Sequence, residues 1–117
     1  GADLLSVPAA FTRQTGEAHW HVLLRARAIE NGAFVVAADE GGVHEDGRET
    51  YGHSLIVDPW GRVLAEADDA EPGVIVAEID AAQSAAARAK IPNLKNAREF
   101  TLETITGPAP ALRGAAS

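Results

Sequence analysis

The sequence predicts an α/β fold, in which a mixed β-sheet has one face covered by helix and the elements run β-α-β-β-β-β-α followed by a tail. Apolar runs of strand length recur along the chain, and two segments carry helical patterning. The composition is 46% hydrophobic and 23% charged, as in an ordinary globular domain. At 117 residues the chain has the size of one small domain, without a repeat or linker that would divide it.

The first half of the chain predicts a strand, a helix and a second strand. Residues 2–8 form a short apolar run that ends at a proline, which is typical of a buried strand. Apolar residues then recur at helical spacing over residues 17–31, with Thr15 or Gly16 as the N-terminal cap and an Asn-Gly pair as the stop. Residues 33–38 are continuously apolar, as in strands that are buried on both faces.

The middle of the chain predicts a long loop followed by a β-hairpin. Residues 39–52 are rich in glycine and charge, so we expect an exposed loop. Residues 53–58 alternate between polar and apolar, and the proline and glycine within residues 58–61 match a type I turn. Residues 62–67 would return as the second strand of the hairpin.

The last part of the chain predicts a strand, a helix and an extended tail. Residues 73–79 read as a further apolar strand, and Asp80 is suited to cap an alanine-rich helix that continues to Lys90. From Ile91 the chain contains three prolines and ends in small residues, which favours an extended conformation. Two helices leave part of such a sheet uncovered, so we expect another layer or subunit on it.

Charge and hydropathy exclude two classes of function. The formal net charge is −7, from 17 acidic and 10 basic side chains, and an acidic surface without a basic cluster argues against nucleic-acid binding. The apolar runs are far shorter than the roughly 20 residues that a membrane span needs, so we expect no membrane association. The first ten residues lack the basic start of a signal peptide, which favours cytoplasmic residence.

Two residue types are missing from the chain. Without cysteine there is no disulfide, no thiolate metal site and no cysteine nucleophile within these 117 residues. Methionine is also absent, even at position 1, and the chain begins inside a predicted strand. We therefore expect a truncated or processed product.

Four sequence strings form an ordered set along the chain. They are SVPAAF at residues 6–11, TGEAHW at 15–20, RARAIEN at 25–31 and YGHSLIVDPWG at 51–61, with Ile91-Pro92 after the last helix. Together they resemble the nitrilase superfamily of carbon–nitrogen hydrolases, in particular its ω-amidase and deaminated-glutathione amidase branch. The resemblance implies that residues 1–98 are the C-terminal portion of the hydrolase domain and that residues 99–117 are an extended tail.

The resemblance also implies a fold and a chemistry. The family folds as a four-layer αββα sandwich and hydrolyses amide or nitrile C–N bonds with a Glu-Lys-Cys triad. The cysteine attacks the carbonyl carbon, the glutamate moves protons and the lysine stabilises the oxyanion. All three positions lie upstream of this segment, and neither Lys90 nor Lys95 matches the catalytic lysine. We therefore expect no catalytic residue here, no activity of the chain alone, and a small amide as substrate only after completion by the N-terminal part.

Some binding residues carry over from the resemblance. Ala9, Phe11 and Thr15 match the loop that flanks the substrate in the family, so they are the predicted substrate-pocket residues. The helix from Trp20 to Asn31 matches the family's subunit-contacting region and predicts a homo-oligomer, and the family's tail often reaches a partner subunit.

Positions 39 and 40 depart from the family pattern. Asp39 and Glu40 stand where the family commonly has a small residue and a glutamine. Two carboxylates are therefore expected beside a strand end close to the pocket, with an effect on substrate preference.

Other polar residues have a structural and a catalytic interpretation. His19 and His21 lie two positions apart on a helix and point roughly 200° away from each other, so we expect no metal and no cofactor there. The acidic sequence at residues 44–46 reads as a solvated loop rather than a cation site. Ser54 lacks the G-x-S-x-G turn of a hydrolase nucleophile. Glu30 is expected to pair with a neighbouring arginine rather than act as a base.

Three functional hypotheses remain open from the sequence. The first is a segment of a carbon–nitrogen hydrolase that is inactive alone. The second is a non-catalytic oligomerisation or interaction module of the same fold. The third is an independent hydrolase that uses histidine, carboxylates and a metal ion.

Overall fold

The computed structural model describes residues 1–68, 71–104 and 107. The fold is mixed α/β, as the sequence predicts, with a four-stranded sheet, a separate hairpin and two α-helices. In chain order the elements are β1 (Leu4–Ala9), α1 (Arg13–Asn31), β2 (Phe34–Asp39), β3 (Gly41–Val43), β4 (Glu49–Tyr51), β5 (Leu55–Val57), β6 (Val63–Glu66), α2 (Ala81–Lys90) and a 3-10 helix (Asn93–Asn96).

The main sheet has the strand order β1-β2-β5-β6. β1 and β2 are parallel, with a register that runs from Leu4 opposite Phe34 to Ala9 opposite Asp39. β5 is antiparallel to both β2 and β6. Because α1 connects the two parallel strands, it must return across one face of the sheet.

The core lies between α1 and that face of the sheet. Trp20, Leu24 and Ala28 recur every four residues and form one buried stripe along the helix. Alternate residues of the strands face this stripe, because successive side chains of a strand point to opposite faces. The buried core cluster is Trp20, Leu24, Ala28, Val35, Ala37, Tyr51, Leu55 and Val57.

The other face of β1 is open. Leu4 is 42% exposed, and Ser6 and Pro8, which share its face, are exposed as well. Ala38, the register partner of Pro8 on β2, is also exposed. This agrees with the expectation that two helices leave part of the sheet uncovered.

Two predicted segments were wrong. Residues 39–52 are not a simple loop, because β3 and β4 pair there as an antiparallel hairpin. The chain reverses between the two strands at Gly47, whose φ is 80° and whose N donates to His44 O at 2.8 Å. Conversely, residues 73–79 form no strand ladder with any described residue, and Val74 and Val76 are 89% and 83% exposed. An apolar run becomes a strand only when a neighbouring chain accepts its hydrogen bonds.

The helix boundaries differ in one place and agree in others. α1 begins at Arg13 with Thr12 as its N-cap, so the predicted caps Thr15 and Gly16 lie inside the helix. The predicted stop is confirmed, since Gly32 adopts a left-handed φ of 54°. The cap of α2 is confirmed too, since an Asp80 carboxylate oxygen accepts from Ala82 N at 2.9 Å.

The turn and the tail complete the comparison. Gly61 N donates to Asp58 O at 2.9 Å, which confirms the predicted turn. Beyond Ile91 the chain forms a short 3-10 helix at Asn93–Asn96, where the sequence predicts an extended tail, and residues 97–104 have no regular secondary structure. Most of the tail, residues 105–106 and 108–117, lies outside the described residues. None of the described helices combines the length and the apolarity that crossing a bilayer requires.

Gly16 gives a test of how α1 packs. It is buried in the helix, and a Cβ added there would lie 2.2 Å from Tyr51 Cβ. We expect Gly16→Ala to lower the free energy of unfolding by about 1–3 kcal/mol, since the clash outweighs the gain in helix propensity. Urea denaturation measures the difference. Gly73→Ala, with 3.9 Å to the nearest atom, is the matched control, and a stabilised Gly16→Ala would contradict this packing.

Candidate functional site

The candidate site lies at the carboxyl ends of the parallel strands β1 and β2. Ala9 and Asp39 are register partners there, and Ala9 O accepts from Glu40 N at 3.1 Å. The carboxyl edge of parallel strands is where α/β folds bind ligands, because the following loops meet there. The chain leaves β1 through Phe11 and leaves β2 into the β3–β4 hairpin, so both loops meet at this edge.

Asp39 connects these loops. Its Oδ1 atom accepts from Phe11 N at 3.0 Å. Its backbone N donates to Ser54 Oγ at 3.0 Å, and Ser54 Oγ donates to Asp39 O at 3.3 Å. Within the described part of the chain the Oδ2 atom is buried and has no hydrogen-bond partner. One carboxylate therefore fixes the Phe11 loop while keeping an unused acceptor oxygen.

The Asp39 carboxyl is perturbed by this environment. Burial raises its pKa above the ordinary value, because the charged form loses hydration. The backbone N–H groups of Phe11, Glu40 and Gly52 and the charge of His53 act in the opposite direction without cancelling the effect of burial. Carboxyl groups with raised pKa values occur at catalytic and binding sites more often than elsewhere.

Tyr51 and His53 flank Gly52, which lies at the same edge of the sheet as Asp39. Their rings stack with centroids 4.0 Å apart and an interplanar angle of 18°. His53 has a left-handed φ of 56°, which costs a non-glycine residue about 1–2 kcal/mol. The bond from Trp20 Nε1 to His53 O, at 2.9 Å, helps to hold this conformation. The imidazole lies close to Tyr51 O, with Nδ1 at 2.7 Å.

An open cavity of about 440 Å³ lies beside this edge of the sheet. Its polar lining is acidic, with Asp39, Glu40, Asp68 and Glu71, and Ser54 also contributes. The volume is within the range of small-molecule sites. The predicted pocket residues Ala9, Phe11 and Thr15 are not among the residues that line it.

Ala9, Phe11 and Thr15 occupy three different environments. Ala9 is half-buried at the end of β1. The Phe11 ring packs against Trp20 with centroids 5.0 Å apart, so it belongs to the margin of the core. Thr15 lies in the first turn of α1, where its Oγ1 is 2.8 Å from Thr12 Oγ1. Their role as substrate-pocket residues stays a prediction.

The other polar residues make structural contacts. Glu30 forms an ion pair with Arg27 at 3.4 Å, as the sequence predicts. His21 Nε2 lies 2.7 Å from a Glu66 carboxylate oxygen, and His44 Nε2 lies 2.7 Å from Thr50 Oγ1. Over residues 1–68 and 71–104, no three histidine, cysteine or carboxylate side chains form a group that could hold a metal ion.

Sequence reasoning did not find the Tyr51–His53 stack or the Asp39–Phe11 bond. In the sequence, Asp39 is notable only because it departs from the family pattern. That departure does not predict which residue the side chain contacts. Nothing in the sequence marks His53 for a left-handed conformation, because that conformation depends on the tertiary bond from Trp20.

Residues 1–89 match the carbon-nitrogen hydrolase family, and the chain belongs to that family. It is 49% identical, over 96 residues, to a deaminated glutathione amidase from Synechocystis sp. strain PCC 6803. The crystal structure of the C. elegans NitFhit protein superimposes with a TM-score of 0.74 at 48% identity, over 84% of this chain and 24% of that one. An amidase from Nesterenkonia sp. AN1, in a variant with an acetamide moiety covalently added at its active-site cysteine, gives a TM-score of 0.62 at 32% identity.

The match covers only part of these proteins. The aligned region is 82% of this chain but 35% of the length of the Synechocystis amidase. For the Nesterenkonia amidase the corresponding shares are 84% and 33%. The chain therefore spans about a third of the length of these relatives.

The raised pKa of Asp39 predicts how stability changes with pH. The folded-state pKa lies above the unfolded one, so the ionised carboxylate lowers stability at neutral pH, and this loss disappears as the pH falls through the folded pKa. We expect Asp39→Asn to be more stable, relative to the parent, at pH 7 than at acidic pH. Thermal unfolding across pH measures this change.

Asp46→Asn is the matched control, because Asp46 is exposed and an asparagine oxygen keeps its bond from Arg48 N. The two substitutions remove the same charge from the chain. An Asp39→Asn effect that does not vary with pH, or that follows the Asp46→Asn effect, would contradict the assignment.

Proposed function

We propose that the chain contributes one wall of an amide-hydrolysing site and is inactive on its own. The observation that carries the proposal is a family domain of carbon–nitrogen hydrolases without a cysteine in its 117 residues. The wall is the carboxyl edge of β1 and β2, where Asp39 fixes the Phe11 loop. The chain's part in the reaction is to hold the substrate and exclude water, while the nucleophile belongs to residues outside this chain.

The chemistry of the nucleophile supports the proposal that this chain holds the substrate while another part of the enzyme supplies the nucleophile. In the Nesterenkonia amidase the acetamide moiety of fluoroacetamide is covalently attached to the active-site cysteine, so the sulfur of that relative acts as a nucleophile. Ser54 is a poor substitute, since its hydroxyl is engaged with Asp39 O and accepts from Asp39 N. A serine nucleophile needs an adjacent base to remove its proton, and these backbone contacts supply none.

The open outer face of β1 supports completion by further chain. Leu4, Ser6 and Pro8 present an exposed strand surface opposite the helix layer. A second sheet packed on it, with its own outer helix layer, would give the four-layer sandwich implied by the resemblance, with this chain as the C-terminal part. The exposed valines Val74 and Val76 lie on an extended segment that could pair with the same added chain.

The relatives indicate the substrate class. A deaminated glutathione amidase matches at 49% identity, so we propose that the completed enzyme hydrolyses the C–N bond of a small non-peptide amide. Cytoplasmic residence is part of the same proposal.

An activity assay tests the proposal. We expect the purified 117-residue chain to release no ammonia from small α-keto-ω-amides, because it has no thiol to form a thioester. Ammonia release is measured with and without iodoacetamide treatment.

Alkylation separates this chain from a contaminating enzyme. A contaminating cysteine amidase loses activity on treatment with iodoacetamide, whereas this chain has no sulfur to alkylate. Turnover that survives alkylation and is lost in an Asp39→Asn variant would contradict the proposal.

A non-catalytic oligomerisation module is the second candidate, and the outer surface of α1 favours it. Val22 and Leu23 are 67% and 43% exposed, and both lie between Trp20 and Asn31. Exposed apolar side chains grouped on one helix are typical of protein interfaces. We propose that this helix joins two copies of the chain.

Substitution of Val22 tests the oligomer. We expect the parent chain to sediment as an oligomer and Val22→Glu to shift it towards the monomer, because a charge would be buried at the contact. Val43→Glu is the matched control, since Val43 is 72% exposed but lies on the hairpin. A monomeric parent chain, or equal effects of both variants in sedimentation velocity, would exclude this contact.

A further inference from the structure

A second cavity system surrounds Trp60, far from Asp39. Trp60 follows β5, which is antiparallel to β2, so it lies near the beginning of β2 while Asp39 lies at its end. Its side chain is 49% exposed, whereas Trp20, the other tryptophan, is 1% exposed. A large aromatic ring left half-exposed is an available contact surface for a ligand.

The turn that carries Trp60 is held rigidly. Asp58 is buried, and its Oδ1 accepts from Trp60 N at 2.8 Å and from Arg62 N at 2.9 Å. Arg25 of α1 donates from Nε to Gly61 O at 2.6 Å, which ties the turn to the helix. The indole therefore projects from a fixed backbone. Ligand binding would cost little conformational entropy, because the turn is already ordered.

One side of Trp60 borders a cationic cavity. This cavity has a volume of about 380 Å³, and its charged lining is Arg62, Lys90 and Asp58. Asp58 is already neutralised, since its Oδ2 accepts from Arg62 Nε at 2.8 Å. The Arg62 side chain is 73% exposed as a whole, and Lys90 Nζ lies 5.5 Å from the Trp60 ring centroid. In a chain of net charge −7 this is a local excess of positive charge.

The other side of Trp60 borders an apolar cavity. It measures about 210 Å³ and is lined by Ile29, Gly32, Pro59, Trp60, Ala87 and Ile91. Pro59, Trp60 and Ala87 line both cavities, so the two are contiguous. α1, the turn and α2 form the walls together.

We propose that these two cavities, the Trp60 site, bind a small amphiphilic monocarboxylate. The carboxylate is placed at Arg62 and Lys90, and the apolar chain lies against Ile29 and Ile91. One anion compensates the single excess charge left by two cations and one carboxylate in the lining. A neutral ligand would fill the apolar part and leave that charge without a partner.

The two indole N–H signals give a direct test by NMR. Octanoate is titrated into the ¹⁵N-labelled 117-residue chain, and the Trp60 signal is assigned with Trp60→Phe. We expect the Trp60 signal to move in a saturable way. The Trp20 signal should stay still, because the side chain is 1% exposed and its N–H is already bonded to His53 O.

Charge is tested with the chain's two lysines and a neutral probe. We expect Lys90→Gln to weaken octanoate binding about tenfold, the effect of losing one charge-assisted contact. Lys95→Gln is the matched control and should leave the affinity unchanged, since Lys95 lies on the 3-10 helix and does not line either cavity.

Octanamide, with the same apolar chain and no charge, should bind weakly. Equal binding of octanoate and octanamide, equal effects of the two lysine substitutions, or an unmoved Trp60 signal would each overturn the proposal.

Discussion

The burial of Trp20 is the contact on which the rest of the structure depends. Its ring fills the space between α1 and the sheet, and its Nε1 reaches past the core to His53 O. Removal of a buried tryptophan side chain costs about 3–5 kcal/mol, a large part of the stability of a small domain. The same ring supports Phe11, so the core and the loop beside Asp39 are fixed by one side chain.

The two ends of the main sheet differ in the charge of the cavity beside them. At the carboxyl ends of β1 and β2, Asp39 holds the Phe11 loop beside an acidic cavity. At the opposite end, Asp58 holds the turn of Trp60 beside a cationic one. In both places a carboxylate accepts from backbone N–H groups and fixes a loop. Both Asp58 oxygens accept hydrogen bonds within the turn, whereas among the described residues the Asp39 Oδ2 atom has no hydrogen-bond partner.

The exposed outer face of β1 and the absence of cysteine are the two observations on which the proposed completion by further chain rests. Leu4 is 42% exposed on that face, and the family domain in this chain carries no cysteine. The exposed Val74 and Val76 belong to an apolar segment that pairs with no described strand.

The sequence by itself determined the elements whose signals are local. The helical spacing of Trp20 and Leu24, the left-handed stop at Gly32 and the Asp80 cap depend on neighbouring residues, so they were predicted. The family strings indicated the fold class and, together with the absence of cysteine, the expectation that the catalytic triad lies outside this chain. For the candidate site the sequence indicated only the strand ends and the unusual carboxylate at Asp39.

Tertiary structure decided whatever requires a distant partner. Residues 73–79 have the composition of a strand, but a strand forms only when another chain segment accepts its hydrogen bonds. The sequence predicts Gly16 as a possible helix cap. In the structure it lies inside the helix, where Tyr51 packs against it and leaves no room for a side chain. The stack of Tyr51 on His53 joins residues only two positions apart, but Trp20, 33 positions away, holds the His53 conformation, and Ser54, 15 positions away, holds Asp39. No local pattern encodes these distant contacts.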